Sequence, residues 1–588
     1  MEFQVGIYDY AMIGFYLVFM VAVGLIYRKQ SKNISDFFRS GGSLSWWLVG
    51  SSAFVTIFSA WTFVGCAGKV YRSGTIAGLI FLFNALSLTF SYWLVPRIRR
   101  LRVITWVSAI KDRFGSFAEQ FYAWITMLIG FLFGGVSLYT LAVFLHPIFG
   151  ISVPVIIVVI SAVITVMAAS GGTSGLIVGD FVQCLLIVFV ALVTAFMIVR
   201  IPEVGGVSGL LDKVPQSHFR WSDLEAKQVL WFWAVGIFIN QFVAANNVQA
   251  GCARYITVKN ERHARKALLI PFIGMLLLPL IAFIPPLAAT FLIPDIENVY
   301  AGLNNPSEAA YIAMAMKVLP QGMVGLLASA IFAASLTSIN VVLSVNSSIF
   351  VKNIYHSIIR KDASDRELLI AGKITVLVLG AVLCLGGIKF NDLKSIPLFD
   401  LTLIVAGLIG MPLVIPVFWG IIIKKTPSWA SWTTVIIGFA VAALVQFLLP
   451  MEFVANIIGL DRPPSDQEIL DMRFASTIIS VAVVCTVWFV GSRIFYGKET
   501  EKYKRDVDEL FERINTPIDE VKEGVVDNTY FQALTVGILC MVYGAAVLLC
   551  MLIPNPVAGK LCFAFCGGGM MIFGIGFYIK SRSLKPKL

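Results

Sequence analysis

Long apolar blocks, each close to the length needed to cross a bilayer, recur from one end of this chain to the other. They fall at about 6–27, 44–68, 75–96, 118–146, 152–170, 176–200, 228–252 and 265–293, then at about 319–352, 370–388, 400–424, 428–450, 473–496, 530–553 and 557–580. A helix needs roughly 20 apolar residues to cross about 30 Å of hydrocarbon. In lipid only helices and closed barrels satisfy their own backbone. The blocks therefore predict an all-α integral membrane protein of about fifteen spans. Composition agrees: of 588 residues, 58% are hydrophobic and 13% charged, against about 45–50% and about 25% in soluble domains. The first block is too long for a signal-peptide core, and its flank (Glu2, Asp9) lacks positive charge, so it reads as a helix that stays.

The formal charge of +11 does not point to nucleic acid, because the basic residues collect in short loops between spans. Basic loops carry Arg28, Lys29, Lys32 and Arg39; Arg97, Arg99, Arg100, Arg102, Lys111 and Arg113; Arg254, Lys259, Arg262, Arg265 and Lys266; and Lys424 and Lys425. The tail, with Lys580, Arg582, Lys585 and Lys587, is basic too. The loops between are poor in Lys and Arg or acidic, as at Asp295, Glu297 and Glu308, or Asp461, Asp466, Glu468 and Asp471. With spans numbered in order, every basic loop falls on one side. That places the N-terminus outside and the C-terminus in the cytoplasm of a plasma (inner) membrane protein. The largest soluble insert, 497–528, is dense in mixed charge and reads as an amphipathic cytoplasmic helix with a solvated charged face. The nine cysteines lie mostly inside apolar blocks and show neither metal-ligand spacing nor a disulfide framework. An enzyme is disfavoured because the four histidines, His146, His218, His263 and His356, are scattered towards span ends and loops.

Spans two to six and seven to eleven form two groups of five, so the second group starts from the opposite side of the membrane. That parity permits inverted repeats, an architecture in which broken helices bind substrate and ions near the midplane. Span two has small and polar residues in its middle, from Val55 through Phe58, Ser59, Ala60 and Thr62 to Gly65. Span seven contains Asn240, Gln241, Asn246, Asn247 and Gln249. Amides this dense against lipid are costly and should face a cavity or another helix; interhelical hydrogen bonding alone would also account for them. Span nine runs through Ala333, Ala334, Ser335, Thr337 and Ser338. The adjacent hydroxyls of Thr337 and Ser338, with the Ala334 carbonyl one turn earlier, are hard oxygen donors suited to sodium, although a small-residue packing face explains the same composition. Asp180 is a carboxylate inside span six and a functional candidate on that ground, with interfacial exposure as the alternative.

Together these segments resemble the sodium/solute symporter family, over about 30–425. Four features carry the resemblance. The first is Gly41-Gly42-Ser43-Leu44-Ser45-Trp46-Trp47 with Phe58-Ser59-Ala60-Trp61-Thr62 and then Tyr71-Arg72-Ser73-Gly74. The second is Gly171-Gly172 with Gly179-Asp180 and Gln183. The third is Gln249 through Arg254-Tyr255 to Lys259, and the fourth is Phe332-Ala333-Ala334 with Thr337-Ser338. The resemblance implies a LeuT-type core of two inverted five-helix repeats, with one helix before it and about four after it. It implies a sodium site made by the carbonyls of Val55, Phe58 and Ala334 and the hydroxyls of Thr337 and Ser338, with Asp180 as an accessory carboxylate. In the sugar-transporting branch a glutamine and a glutamate bind sugar hydroxyls; the matching positions here are Thr62 and Phe81, and no lysine stands in the middle of span eight. A plain hexose is thereby disfavoured, and the wording is closer to the branch carrying monocarboxylates, iodide or vitamins.

The resulting expectation is a sodium-coupled symporter that imports a small organic solute by alternating access. Its segments are a first helix and loop (1–43), two five-helix repeats (44–200 and 201–425) and accessory helices (426–588). The solute would be lined by spans two, three, seven and eleven, with Thr62, Asn84, Asn240, Gln241 and Asn247 as candidates. Two rivals keep the fold. A membrane sensor would need an output domain larger than the insert. A proton-coupled relative often carries a basic side chain where Thr337 and Ser338 stand.

Overall fold

The computed structural model describes residues 6–28, 42–103, 105–170, 173–223, 225–392, 396–525 and 527–584. Gly41, Gly171 and Gly172 of the motifs and the basic residues Lys29, Lys32, Arg39, Lys585 and Lys587 lie outside them. The described chain is helical throughout, and each apolar block coincides with a helix or a pair of consecutive helices. In order these are α1 (Ile7–Arg28), α2 (Trp46–Ile57), α3 (Ala67–Ser73), α4 (Gly78–Arg100), α5 (Ser116–Phe149), α6 (Val153–Ser170) and α7 (Thr173–Val199). Then come α8 (Lys227–Ala245), α9 (Val248–Tyr255), α10 (Glu261–Leu292), α11 (Met323–Ile349), α12 (Asp365–Asn391) and α13 (Leu398–Gly420). The last are α14 (Ala430–Leu448), α15 (Asp466–Gly491), α16 (Glu501–Asn515), α17 (Thr529–Leu549) and α18 (Val557–Ser583). Among the described residues, twelve helical stretches are long and apolar enough to cross a membrane, and Ile7–Val23, Trp46–Ile57 and Val153–Ala168 are shorter apolar helices.

Two spans are interrupted, and both interruptions have local causes. α2 stops at Phe58, whose backbone leaves the helical region at φ −91°, ψ 73°. The chain resumes through a π-helical turn, Thr62–Cys66, into α3. In span seven, α8 stops at Asn246 and Asn247 caps α9, its side chain accepting from the Gln249 and Ala250 amides at 2.9 and 3.5 Å. Asparagine is among the preferred N-cap residues because its side chain satisfies amides that the first turn leaves free. After α3 the chain turns at Gly74 (φ +69°), where a Cβ would stand 2.3 Å from the His218 carbonyl. Only glycine suits that turn.

α11 runs through the middle of the molecule and is its most deeply buried span. It packs on α1, α2, α5, α7 and α12. Asp9 of α1 ties the start of α11 by accepting from the Gly325 amide at 2.7 Å.

Among the described residues, the basic loops at 97–113, 254–266 and 424–425 meet at one end of the helices, and the insert 497–528 lies across them. α16 turns Tyr503, Val507, Leu510, Phe511 and Ile514 inward, the 3.6-residue periodicity of an amphipathic helix. The charges of this segment engage the core: Arg102 pairs with Glu523 at 2.6 Å, Lys424 with Asp508 at 2.8 Å, Arg513 with Asp112 and Lys259 with Asp527. Partial burial acts to raise the Asp527 carboxyl, but Lys259 and Thr529 hold it down at about 2. Asp527 therefore stays ionised at any physiological pH. The buried Arg113 guanidinium donates to the Gly420 carbonyl at 3.0 Å and to the Tyr503 hydroxyl at 2.8 Å. The insert is thus bound to the loops flanking α4, α5, α10 and α13, with more of its charge paired than a purely solvated face would show.

Candidate functional site

The break in span two sits beside α11, and the structure builds two adjoining polar clusters there. In the first, Ser338 of α11 donates to the Thr56 carbonyl in the last turn of α2 at 3.1 Å and to the Ala334 carbonyl at 3.4 Å. A helix that stops leaves the carbonyls of its last turn without intrahelical partners. Val55 lies in that turn and Phe58 at the stop; both are fully buried, as is Ala334. In the second cluster Asp180 of α7, 1% exposed, accepts from Ser52 of α2 and Thr337 of α11. Thr337 also donates towards Gln183 Oε1 at 3.0 Å, and Gln183 in turn donates to the Tyr16 hydroxyl of α1 at 3.1 Å. Asp180 is therefore walled inside the protein by three helices, which answers the alternative of interfacial exposure.

The charge facing Asp180 comes from Arg254 on α9. Its guanidinium donates to Thr56 Oγ1 at 2.6 Å, and Thr56 donates to the Ser52 carbonyl at 2.8 Å. A buried carboxylate needs such compensation, since an uncompensated charge costs several kcal/mol. The two broken spans are thus linked through Thr56 at the level of the break.

Beside the break lies a cavity of about 250 Å³, lined by Thr56, Ile57, Ser59, Ala60 and Trp61, by Phe133, Val136, Ser137 and Thr140 of α5, by Ser335 and Ser338 of α11, and by Thr402 of α13. Seven of these twelve residues bear hydroxyls and none is charged. Trp61 stacks on Phe399 with ring centroids 5.6 Å apart, which holds the indole against the first turn of α13.

Of the residues singled out in the sequence, Ser338 lines this cavity. Asp180 and Thr337 meet behind it, and Val55, Phe58 and Ala334 flank the helix break. The five amide and hydroxyl candidates do not line it. Asn84 donates to Gln241 at 2.9 Å, Asn247 caps α9, Asn240 is buried in α8, and the buried Thr62 hydroxyl has no partner among the described residues. Ser52, Ser335, Phe133, Ser137, Thr140 and Thr402 carried no sequence signal strong enough to single them out. Each is a small polar or aromatic residue inside an apolar span, and only their convergence distinguishes them.

Two broken spans crossing beside a buried, charge-compensated oxygen cluster define a secondary transporter of the LeuT type. The family model described as "Sodium:solute symporter family" matches residues 37–438, and the chain belongs to that family. It is 27% identical to the sodium/sialic acid symporter SiaT of Proteus mirabilis, over 76% of this chain and 91% of that one. It is 25% identical to the sodium/glucose cotransporter 1 of Ovis aries, over 74% and 70%. With the human sodium/myo-inositol cotransporter 2 it shares 24% identity, over 82% and 76%. Among solved structures, a Na+-coupled sialic acid symporter in a substrate-bound, outward-open state matches with a TM-score of 0.63 at 24% identity, over 82% of this chain and 98% of that one. The molecule is a multi-pass membrane protein with the LeuT-type fold and a sodium-coupled symporter of a small solute.

Proposed function

We propose that sodium binds between α2 and α11, coordinated by the carbonyls of Val55, Phe58 and Ala334 and the hydroxyls of Thr337 and Ser338, with Asp180 supplying the compensating charge. The observation that carries this is the Ser338 hydroxyl already bridging a last-turn carbonyl of α2 and the Ala334 carbonyl. An ion at that point would tie α11 to the α2 break, which the Ser338 hydroxyl and the Ala60 amide, donating to Ser335 at 3.2 Å, already connect. Sodium would favour the outward-open state and hold the α2 break in shape for the solute. Its release to a low-sodium cytoplasm would then free both. The membrane potential adds about 2.3 kcal/mol per charge per 100 mV.

The solute occupies the neighbouring cavity. Thr56 and Ser338 belong to both the cavity wall and the ion niche, so a solute carboxylate would lie against the bound cation. The uncharged wall offers no counter-ion to a cationic solute, and hydroxyls both donate and accept. The apolar faces of Trp61, Ile57 and Phe133 suit a ring or a short carbon chain. The substrate class is therefore a small hydroxylated carboxylate, of the sugar-acid kind. Sialic acid, named for two of the relatives, is a member of that class. The repeats comprise residues 44–200 and 201–425; the basic loops and the insert face the cytoplasm and the N-terminus faces outside, as the positive-inside rule requires.

Uptake into proteoliposomes under an inward sodium gradient, run side by side with labelled sugar acids, short monocarboxylates and their neutral counterparts, tests the solute class. Accumulation of acids at least about tenfold above matched neutral sugars is expected, about 1.4 kcal/mol of discrimination. Accumulation of a neutral polyol with no acid transported would overturn it.

A further inference from the structure

A second buried charge cluster lies at the end of the helices opposite the basic loops. Lys69 of α3 is 1% exposed, and its ammonium is 3.8 Å from Asp471 Oδ2 of α15. It stands 5.7 and 5.9 Å from the ring centroids of Phe399 and Trp233. Glu225, just before α8, lies within hydrogen-bond reach of Asp471, carboxyl to carboxyl. Asp400 in the first turn of α13 faces Lys69, Arg72 and Asp471. Glu308 donates nothing and accepts from the Leu398 amide at 2.7 Å, with Arg72, Asp400 and Tyr139 as its charged or titratable neighbours. On α15, Gln467 donates to Asp471 at 3.2 Å, and Glu468 is neutralised by Arg462 at 2.7 Å.

The charges do not balance. Once Glu468 is set against Arg462, Lys69 and Arg72 face four carboxyls, those of Glu225, Glu308, Asp400 and Asp471, each no more than 7% exposed. Glu225 Oε2 and Asp400 Oδ2 are buried without a hydrogen-bond donor among the described residues. Burying two surplus negative charges is far costlier than neutralising them by proton uptake. Two carboxyls at hydrogen-bond distance cannot both be ionised and still bond; one must carry a proton.

We propose that Glu225 and Asp471 share one exchangeable proton, taken up from the solution at the acidic end of the molecule, with the second surplus charge neutralised at Glu308 or Asp400, and that the shared proton holds α3, α8, α13 and α15 together there. Loss of the proton leaves like charges on α15, on the approach to α8 and on α13, which repel and open that end. Burial pushes the Glu225 carboxyl above the usual carboxylate range, with Lys69 opposing. The cluster also reaches the cavity, because Phe399 touches Lys69 on one side and stacks on the cavity-lining Trp61. Sodium favours the open form, so the proton and sodium oppose each other. This coupling, unlike the proton site itself, rests on the sodium reading above.

Infrared difference spectra of the full-length protein in lipid, taken between about pH 5.5 and about pH 8, test the site without any solute. The expected result is a buried carboxylic C=O band at acid pH that disappears at alkaline pH and loses intensity in Glu225→Gln and in Asp471→Asn, the remainder belonging to Glu308 or Asp400. Its absence from the wild-type protein, or its undiminished intensity in both variants, overturns the site. Sodium-induced thermal stabilisation, a separate readout, should require at least about fivefold more sodium at the acid pH in the wild-type protein, the low end of coupling between linked sites. In Glu225→Gln that shift should vanish. An unchanged shift in the variant, with the band assigned as expected, would overturn the coupling and leave the proton site standing.

Discussion

Replacing both Thr337 and Ser338 by alanine should abolish sodium-dependent stabilisation and sodium-driven uptake together. The two hydroxyls act on different neighbours. Ser338 joins α11 to the last turn of α2 at the break, and Thr337 joins α11 to Asp180 and Gln183 of α7. Their removal takes two of five proposed ligand oxygens and leaves Asp180 with one donor fewer. Each lost bond to a charged group is worth about 1.5–3 kcal/mol, so a loss of sodium affinity of at least about a hundredfold is expected. The serine exchange Thr337→Ser restores the oxygen and should recover most of it. Thermal unfolding in detergent over a sodium titration reads both. Wild-type sodium protection in the double alanine variant would remove α11 from the ion site.

The second large effect is expected at Asp180. Asp180→Asn keeps the size of the side chain and an oxygen for Ser52 and Thr337, and it deletes the charge. A unit charge about 4 Å away is worth about 4 kcal/mol at an effective dielectric of 20; an accessory group lying farther off should contribute about half of that. The half-saturating sodium concentration should therefore rise by at least about 30-fold, with the fold retained. Arg254 would then be the uncompensated charge, so pairing Asp180→Asn with Arg254→Gln should recover stability without recovering sodium affinity. A double-variant cycle on thermal stability and sodium titration separates the two roles. Equal sodium affinity in Asp180→Asn and the wild-type protein would reduce Asp180 to a packing partner.

Much of this architecture was legible before any coordinates. Twenty-residue apolar blocks leave a chain little choice but membrane helices, and each block found one. A discontinuity in span seven was expected from its place at the start of the second group of five, but its position at Asn246-Asn247, where Asn247 caps the restarting helix, came from the structure. Asp180 and Thr337 stood out as polar groups in apolar spans, and they meet. The cavity wall was less legible for a physical reason. Ser137, Thr140, Ser335 and Thr402 all donate to carbonyls of their own helices three or four residues back, so each is locally satisfied and looks like filler. The amides drew notice instead, being costly in lipid, yet Asn84 and Gln241 satisfy one another across 157 positions of sequence. Pairings at that range are invisible to periodicity. The same holds for Lys69, whose carboxyl partners come from α13, α15 and the approach to α8, and for the insert, whose charges find theirs in loops hundreds of residues away.

The central claim is that a sodium gradient drives solute accumulation through the site at the α2 break. Purified protein in proteoliposomes, supplied with a transported sugar acid, should accumulate it above equilibrium only while an inward sodium gradient persists. Accumulation should collapse on adding a sodium ionophore, and the Thr337→Ala, Ser338→Ala double variant should show none. Equal accumulation driven by a proton gradient in sodium-free buffer, or undiminished uptake by the double variant, would contradict the account.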